Sequence, residues 1–197
     1  MNLVERARNI LLTPQTEWAV IEAEPTDPKT LYTSYIAILA LIPAVAGLIF
    51  TVFLASLFGS RIGVGIAVGA ALAQYVLSLI MVFAVAFIAD ALAPSFDGQK
   101  NLNQALKLVG YAMTAAWIAG AFVIIPLLGW LVSLLGSLYS LYLFFLGAPI
   151  LMKVPESKVV AYTAVVVVIA IVVGFAIAMI NASIIGMGAV GMVSGMR

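Results

Sequence analysis

Any chemistry in this chain of 197 residues must come from nine lysines and arginines, eight aspartates and glutamates, and a few neutral polar groups, because it has no histidine and no cysteine. Imidazole bases, thiol nucleophiles and thiolate metal sites are therefore excluded. Asp90 is the most conspicuous charge. It closes a long apolar run, so its carboxylate faces the negative end of a helix dipole and calls for a partner. Lys107, one turn into the next helix, is the expected partner at the membrane rim, with Lys100 as competitor. A second group is Trp18 with Lys153 and Lys158, placed to touch lipid headgroups or a partner. A third comprises Gln74, Thr114 and Asn181, polar residues inside apolar runs. They are expected to be interhelical hydrogen-bond donors and acceptors or, alternatively, to line an intramembrane polar path.

No Walker loop, GxSxG, HExxH or close pair of intramembrane aspartates occurs. An enzyme would have to work with rim carboxylates and lysines alone, so no catalytic role is expected. No cofactor, resident metal or nucleic-acid partner is expected either.

The elements that must hold these residues follow from composition. The chain is 65% hydrophobic and 9% charged, with a mean hydropathy of +1.23, against about 25% charged residues in a soluble domain. A membrane-spanning helix needs about 20 mostly apolar residues. Charge-free stretches run from Thr30 to Ser60, Ile62 to Ala89, Leu108 to Met152 and Val159 to Met196, and the third is long enough for two spans. The expected fold is an all-α integral membrane protein of five transmembrane helices with a short amphipathic helical region at the N-terminus. The valine-rich "AVVVVIAIVVG" does not argue for a strand, because a lone strand in lipid leaves its backbone unpaired.

Residues 1–30 form a polar head, 31–185 the five-helix unit and 186–197 a Gly/Met-rich external tail expected to fray. In the head, Leu3, Ala7, Ile10 and Leu11 make one apolar face, with Glu5, Arg6, Arg8 and Asn9 opposite, as for a helix lying on a membrane surface. Thr13 and Pro14 open a second helix, from which Trp18 and Ile21 should dip into the headgroup layer. Pro43 predicts a kink in the first span, and Asn101 with Gln104 resembles a capping box opening the third. Gly65 with Gly69, and Gly191 with Gly195, form GxxxG pairs that permit close helix approach.

"FFLGAPILMKVPESKVVAYT" is a hairpin between spans: Pro149 and Pro155 mark the end of one helix and the start of another, and Glu156 suits the new helix's dipole. Counting Lys and Arg near the span ends places Arg6, Arg8, Lys29, Lys100, Lys107, Lys153 and Lys158 on one side and only Arg61 and Arg197 on the other. The positive-inside rule then predicts a cytoplasmic N-terminus and an external C-terminus. All eight acids fall on the cytoplasmic side as well.

The head "TPQTEWAVIEAE", "SFDGQKNLNQALKLVGYAMTAAWI", the turn "IPLLGWL" and "LYSLYLFFLGAPILMKVPESKVVAYT" together resemble the Yip family, the Ypt/Rab-interacting five-span membrane proteins. The resemblance implies five helices with the same orientation. Eukaryotic relatives associate with prenylated small GTPases and with one another. This chain, with its compact head, is similar to the shorter prokaryotic branch, which argues against a GTPase partner. The expected function is therefore a non-enzymatic inner-membrane protein that scaffolds or organises membrane components through its cytoplasmic face. Its expected partners are membrane lipids, further copies of itself or other membrane proteins. The alternative is a small-solute or ion transporter with a path between the helices.

Overall fold

The computed structural model describes the backbone of residues 2–54, 57 and 63–194; side chains are described to residue 53, at 57, from 63 to 176, and at 178 and 179. Among the described residues there is no strand. Five helical stretches are long and apolar enough to cross a membrane: Pro28–Phe53, Val64–Phe96, Leu102–Ile124, Leu128–Leu151 and Glu156–Ala176, called here the first to fifth spans. The fifth helix continues to Ser194, so residues 186–194 extend it where fraying was expected. Once nucleated, a helix gains a hydrogen bond for each residue added.

Two short helices precede the bundle, α1 (Leu3–Leu12) and α2 (Pro14–Ala23). Asn2 caps α1, its side-chain oxygen accepting from the Glu5 amide at 2.8 Å. Pro14 takes the first position of α2, as expected. Thr13 does not cap that helix; its hydroxyl donates back to the Asn9 carbonyl. Each helix buries a face with the same spacing, Arg6, Ala7 and Ile10 on α1 and Glu17, Trp18 and Ile21 on α2. Three and four residues make one helical turn, so each face carries one charge beside its apolar residues.

These faces do not meet lipid headgroups. Packing of α2 on the fourth span and of α1 on the third turns them inward over the end of the bundle. Trp18 is completely buried and Ile21 nearly so, which corrects the expectation that both enter the headgroup layer. The fourth span accommodates the indole through Gly147: a Cβ there would fall 2.6 Å from Leu108 Cδ1 and 2.7 Å from Trp18 Cε2. Close helix approach also occurs at Gly136, where a Cβ would meet Ala119 Cβ at 2.3 Å, whereas Gly65 and Gly69 of the first GxxxG pair meet nothing within 4 Å. The second pair lies outside the described side chains.

The first and third spans are the irregular ones. In the first, α-helix around Pro43 is flanked by π turns at Tyr32–Ile36 and Phe50–Leu54. Tyrosines tie it to the second span: Tyr32 donates to the Leu79 carbonyl at 3.2 Å, and Tyr75 to the Ala37 carbonyl at 3.0 Å. The third breaks at Met113 and finishes in a 3-10 turn at Ala121–Ile124. Across that break the Ser140 hydroxyl of the fourth span accepts from the Ala116 amide at 3.0 Å. Neither proline nor glycine marks residue 113 in the sequence, so the break is a product of packing.

Two interhelical loops meet beside the head. The Gln99 amide donates to the Met152 carbonyl at 2.7 Å, and a Cβ on Gly98 would lie 2.7 Å from the same oxygen. Asp97 and Lys153 adopt left-handed backbone angles, φ +60° and +54°, which cost roughly 1–2 kcal/mol for a residue with a side chain. Both then carry ion pairs.

Candidate functional site: the charged end

The Arg6 guanidinium lies between the two ends of α2, donating to the Glu17 carboxylate and to that of Glu24, with its Cζ 5.5 Å from the centre of the Tyr111 ring. The Arg6 and Glu17 side chains are 5% and 7% exposed, whereas Glu24 is 38% exposed. Replacing such a buried ion pair by apolar groups can be neutral, but removing one partner leaves an uncompensated charge and costs several kcal/mol. The pair thus ties α1 to α2 in the observed arrangement.

The last carbonyls of α2 and its linker have no partner within the helix, and the third span supplies donors for them. Lys107 Nζ donates to the carbonyl of Ile21 at 3.0 Å and to that of Glu24; Gln104 Nε2 reaches the Glu22 carbonyl at 3.3 Å; Asn103 Nδ2 reaches the Thr26 carbonyl at 2.8 Å. Three residues on one turn therefore grip the exit of the head. Asn101 caps this helix, accepting from the Gln104 amide at 3.1 Å, but the Gln104 side chain is spent on the head and does not return to complete a capping box.

This geometry corrects the expected rim pair. Lys107 is buried against α2, and none of the ion pairs among the described residues joins it to Asp90. Two of the three ammonium donors of Lys107 are spent on helix-end carbonyls of the head, which holds the side chain on α2. Asp90 is itself buried, and its Oδ1 has no hydrogen-bond partner among the described residues; nor has Thr163 Oγ1 on the fifth span. Between the same two helices, the Tyr162 hydroxyl donates to the Ala89 carbonyl at 2.8 Å.

Of the expected contact residues, Lys153 and Lys158 do lie at the surface, about half exposed, and Trp18 does not. Lys153 pairs with Glu22 of α2, and Lys158 with Asp97 of the loop between the second and third spans. These two pairs link the head, both interhelical loops and the start of the fifth span, with Glu5, Arg8, Lys29 and Lys100 exposed at the same end and Val4, Leu12 and Val20 exposed among them. Outside the spans, the carboxyl of Asp27 is held below the usual carboxylate range by the Thr30 amide and then by the Thr30 hydroxyl.

Of the residues of the expected intramembrane path, two are described, Thr114 and Gln74. Thr114 is fully buried, 2.8 Å from the Tyr35 hydroxyl, and donates to the Tyr111 carbonyl at 2.7 Å, so it helps to close the interior. Gln74 lines a separate cavity between the second to fifth spans. The Asn181 side chain lies outside the described residues.

Sequence reasoning missed Arg6, Glu17 and Glu24. The available signal was that Arg6 borders the Ala7–Ile10 stripe while Glu17 borders Trp18 and Ile21, so two opposite charges occupy equivalent edges of consecutive helices. Among the described residues no cluster of three or more potential metal-ligating side chains occurs.

A folded polar head gripped by one end of a five-span helical bundle defines a multi-pass membrane protein in which the charges among the described residues are gathered at that end. The chain belongs to the Yip1 domain family, whose family model matches residues 8–178, from within α1 into the fifth span. No curated protein and no solved structure gives a significant match.

Proposed function

We propose that this protein is a non-enzymatic scaffold of the inner membrane that gathers membrane components on its head-bearing face, which faces the cytoplasm. The carrying observation is that Arg6, Lys107, Lys153 and Lys158 fasten the head and two loops into one preorganised charged surface. A surface already ordered loses little conformational freedom on binding, and basic groups at a membrane face attract anionic lipid. The partners this reading supports are lipids, copies of the chain or other membrane proteins. The positive-inside count supports the orientation.

Gentle extraction and co-purification test the reading, comparing wild type with a variant carrying Arg8→Glu, Lys100→Glu, Lys153→Glu and Lys158→Glu. Loss of defined lipids or proteins from the variant is the expected result; identical retained partners would rule the face out. Orientation has its own test, because the chain contains no cysteine. With Asn2→Cys, an impermeant maleimide should label inverted vesicles and not intact cells.

A further inference from the structure

A cavity of about 610 Å³ opens between the second, third, fourth and fifth spans, within the roughly 300–1,000 Å³ range of ligand sites. Val82, Trp117, Phe144, Val166 and Ile171 are among the apolar residues that line it. The hydroxyls on its wall are already engaged within the chain: Ser78 donates to the Tyr75 carbonyl at 2.7 Å, Ser137 to the Ser133 carbonyl at 2.8 Å, and Ser140 accepts from the Ala116 amide. Gln74 likewise interacts within the chain. The wall thus offers little to a hydrated solute, and apolar cavities stay dry.

We propose that this cavity binds one acyl chain of a bilayer phospholipid. The lining extends along the second span from Gln74 to Val85 and along the helix of the fifth from Val166 to Ala178, just past the span itself. At about 1.5 Å per residue these stretches are roughly 16 and 18 Å long. The hydrocarbon depth of one leaflet is about 15 Å, half of the ~30 Å core. A chain lying along the helices therefore matches the cavity in length and polarity, and the surrounding membrane supplies it at high concentration. Occupied, it restores the contacts that an unfilled void between helices forfeits.

Trp117 in the wall makes the binding measurable. It is almost wholly buried; Trp18 is sealed beneath the head; and the exposed Trp130 can be removed as Trp130→Phe. In vesicles of phosphatidylcholine with dibrominated stearoyl chains, that variant should show strong quenching of Trp117. Adding Ala170→Phe or Ala116→Leu, each of which fills the cavity, should reduce the affinity of the quenching site by about tenfold or more, since several methylenes are excluded. In native mass spectrometry of delipidated wild type, one phospholipid per chain should persist. Equal quenching in all variants with unchanged Tm would overturn the proposal. So would the absence of retained phospholipid from wild type, or a dimer that only the unfilled protein forms.

Discussion

The charged end and the mid-membrane cavity handle polar atoms in opposite ways. At the end, charged side chains are brought together from distant segments: Arg6 to Glu17 and Glu24, Lys107 to the end of α2, Lys153 to Glu22, Lys158 to Asp97. Around the cavity, the hydroxyls of Ser78 and Ser137 satisfy carbonyls of their own helices, leaving an apolar wall. A charge at mid-membrane costs several kcal/mol and cannot be recovered from water, whereas a serine hydroxyl can be absorbed by the preceding turn. The two regions are thus suited to different ligands, a polar partner at the end and a hydrocarbon chain in the middle.

Substitutions should separate buried from surface charges at the end itself. The largest effect is expected for Arg6→Ala, which strands Glu17 and should cost about 3–5 kcal/mol; Tm in detergent measures it, and a loss below ~1 kcal/mol would mean that the head is held by apolar contacts alone. Trp18→Ala should cost a comparable ~3–5 kcal/mol. Gly147→Leu should expose the head to limited proteolysis, because Trp18 and Leu108 leave no space for a side chain. Lys107→Met keeps the aliphatic stem but orphans two carbonyls, for about 1.5–3 kcal/mol. Lys153→Ala and Lys158→Ala break half-exposed pairs and should each fall within ~1 kcal/mol and weaken further with salt.

The smallest effect is expected at Asp27. Its lowered pKa means that its stabilising contribution is present above the unfolded carboxylate value and is lost as pH falls through the lower folded value. Acidification should therefore increase proteolysis near the Pro25–Pro28 linker, and Asp27→Asn should remove that component of the pH dependence.

The spans were legible because a span is a composition signal: about 20 apolar residues mark a helix whatever packs beside it. The charged end was legible only as a location. Lys153 and Lys158 are about half exposed in a hairpin that their prolines and flanking polar residues mark in the sequence. Trp18, Asp90 and Lys107 were misplaced because local sequence could not show that α2 folds back over the bundle. Once it does, Trp18 enters a space created by Gly147, and Lys107 meets carbonyls that come from 83 and 86 residues away in the chain.

By itself, then, the sequence determined an all-helical membrane protein, its number of spans, the segregation of its charges and its family resemblance, all of which depend on composition or short motifs. Only the tertiary structure decided which charges are buried, that the head is part of the fold, that the third span breaks at Met113 and that a cavity opens between four helices. These are properties of side chains that meet across long sequence separations. Their energies depend on burial and on the partner presented, and neither exists until the helices have packed.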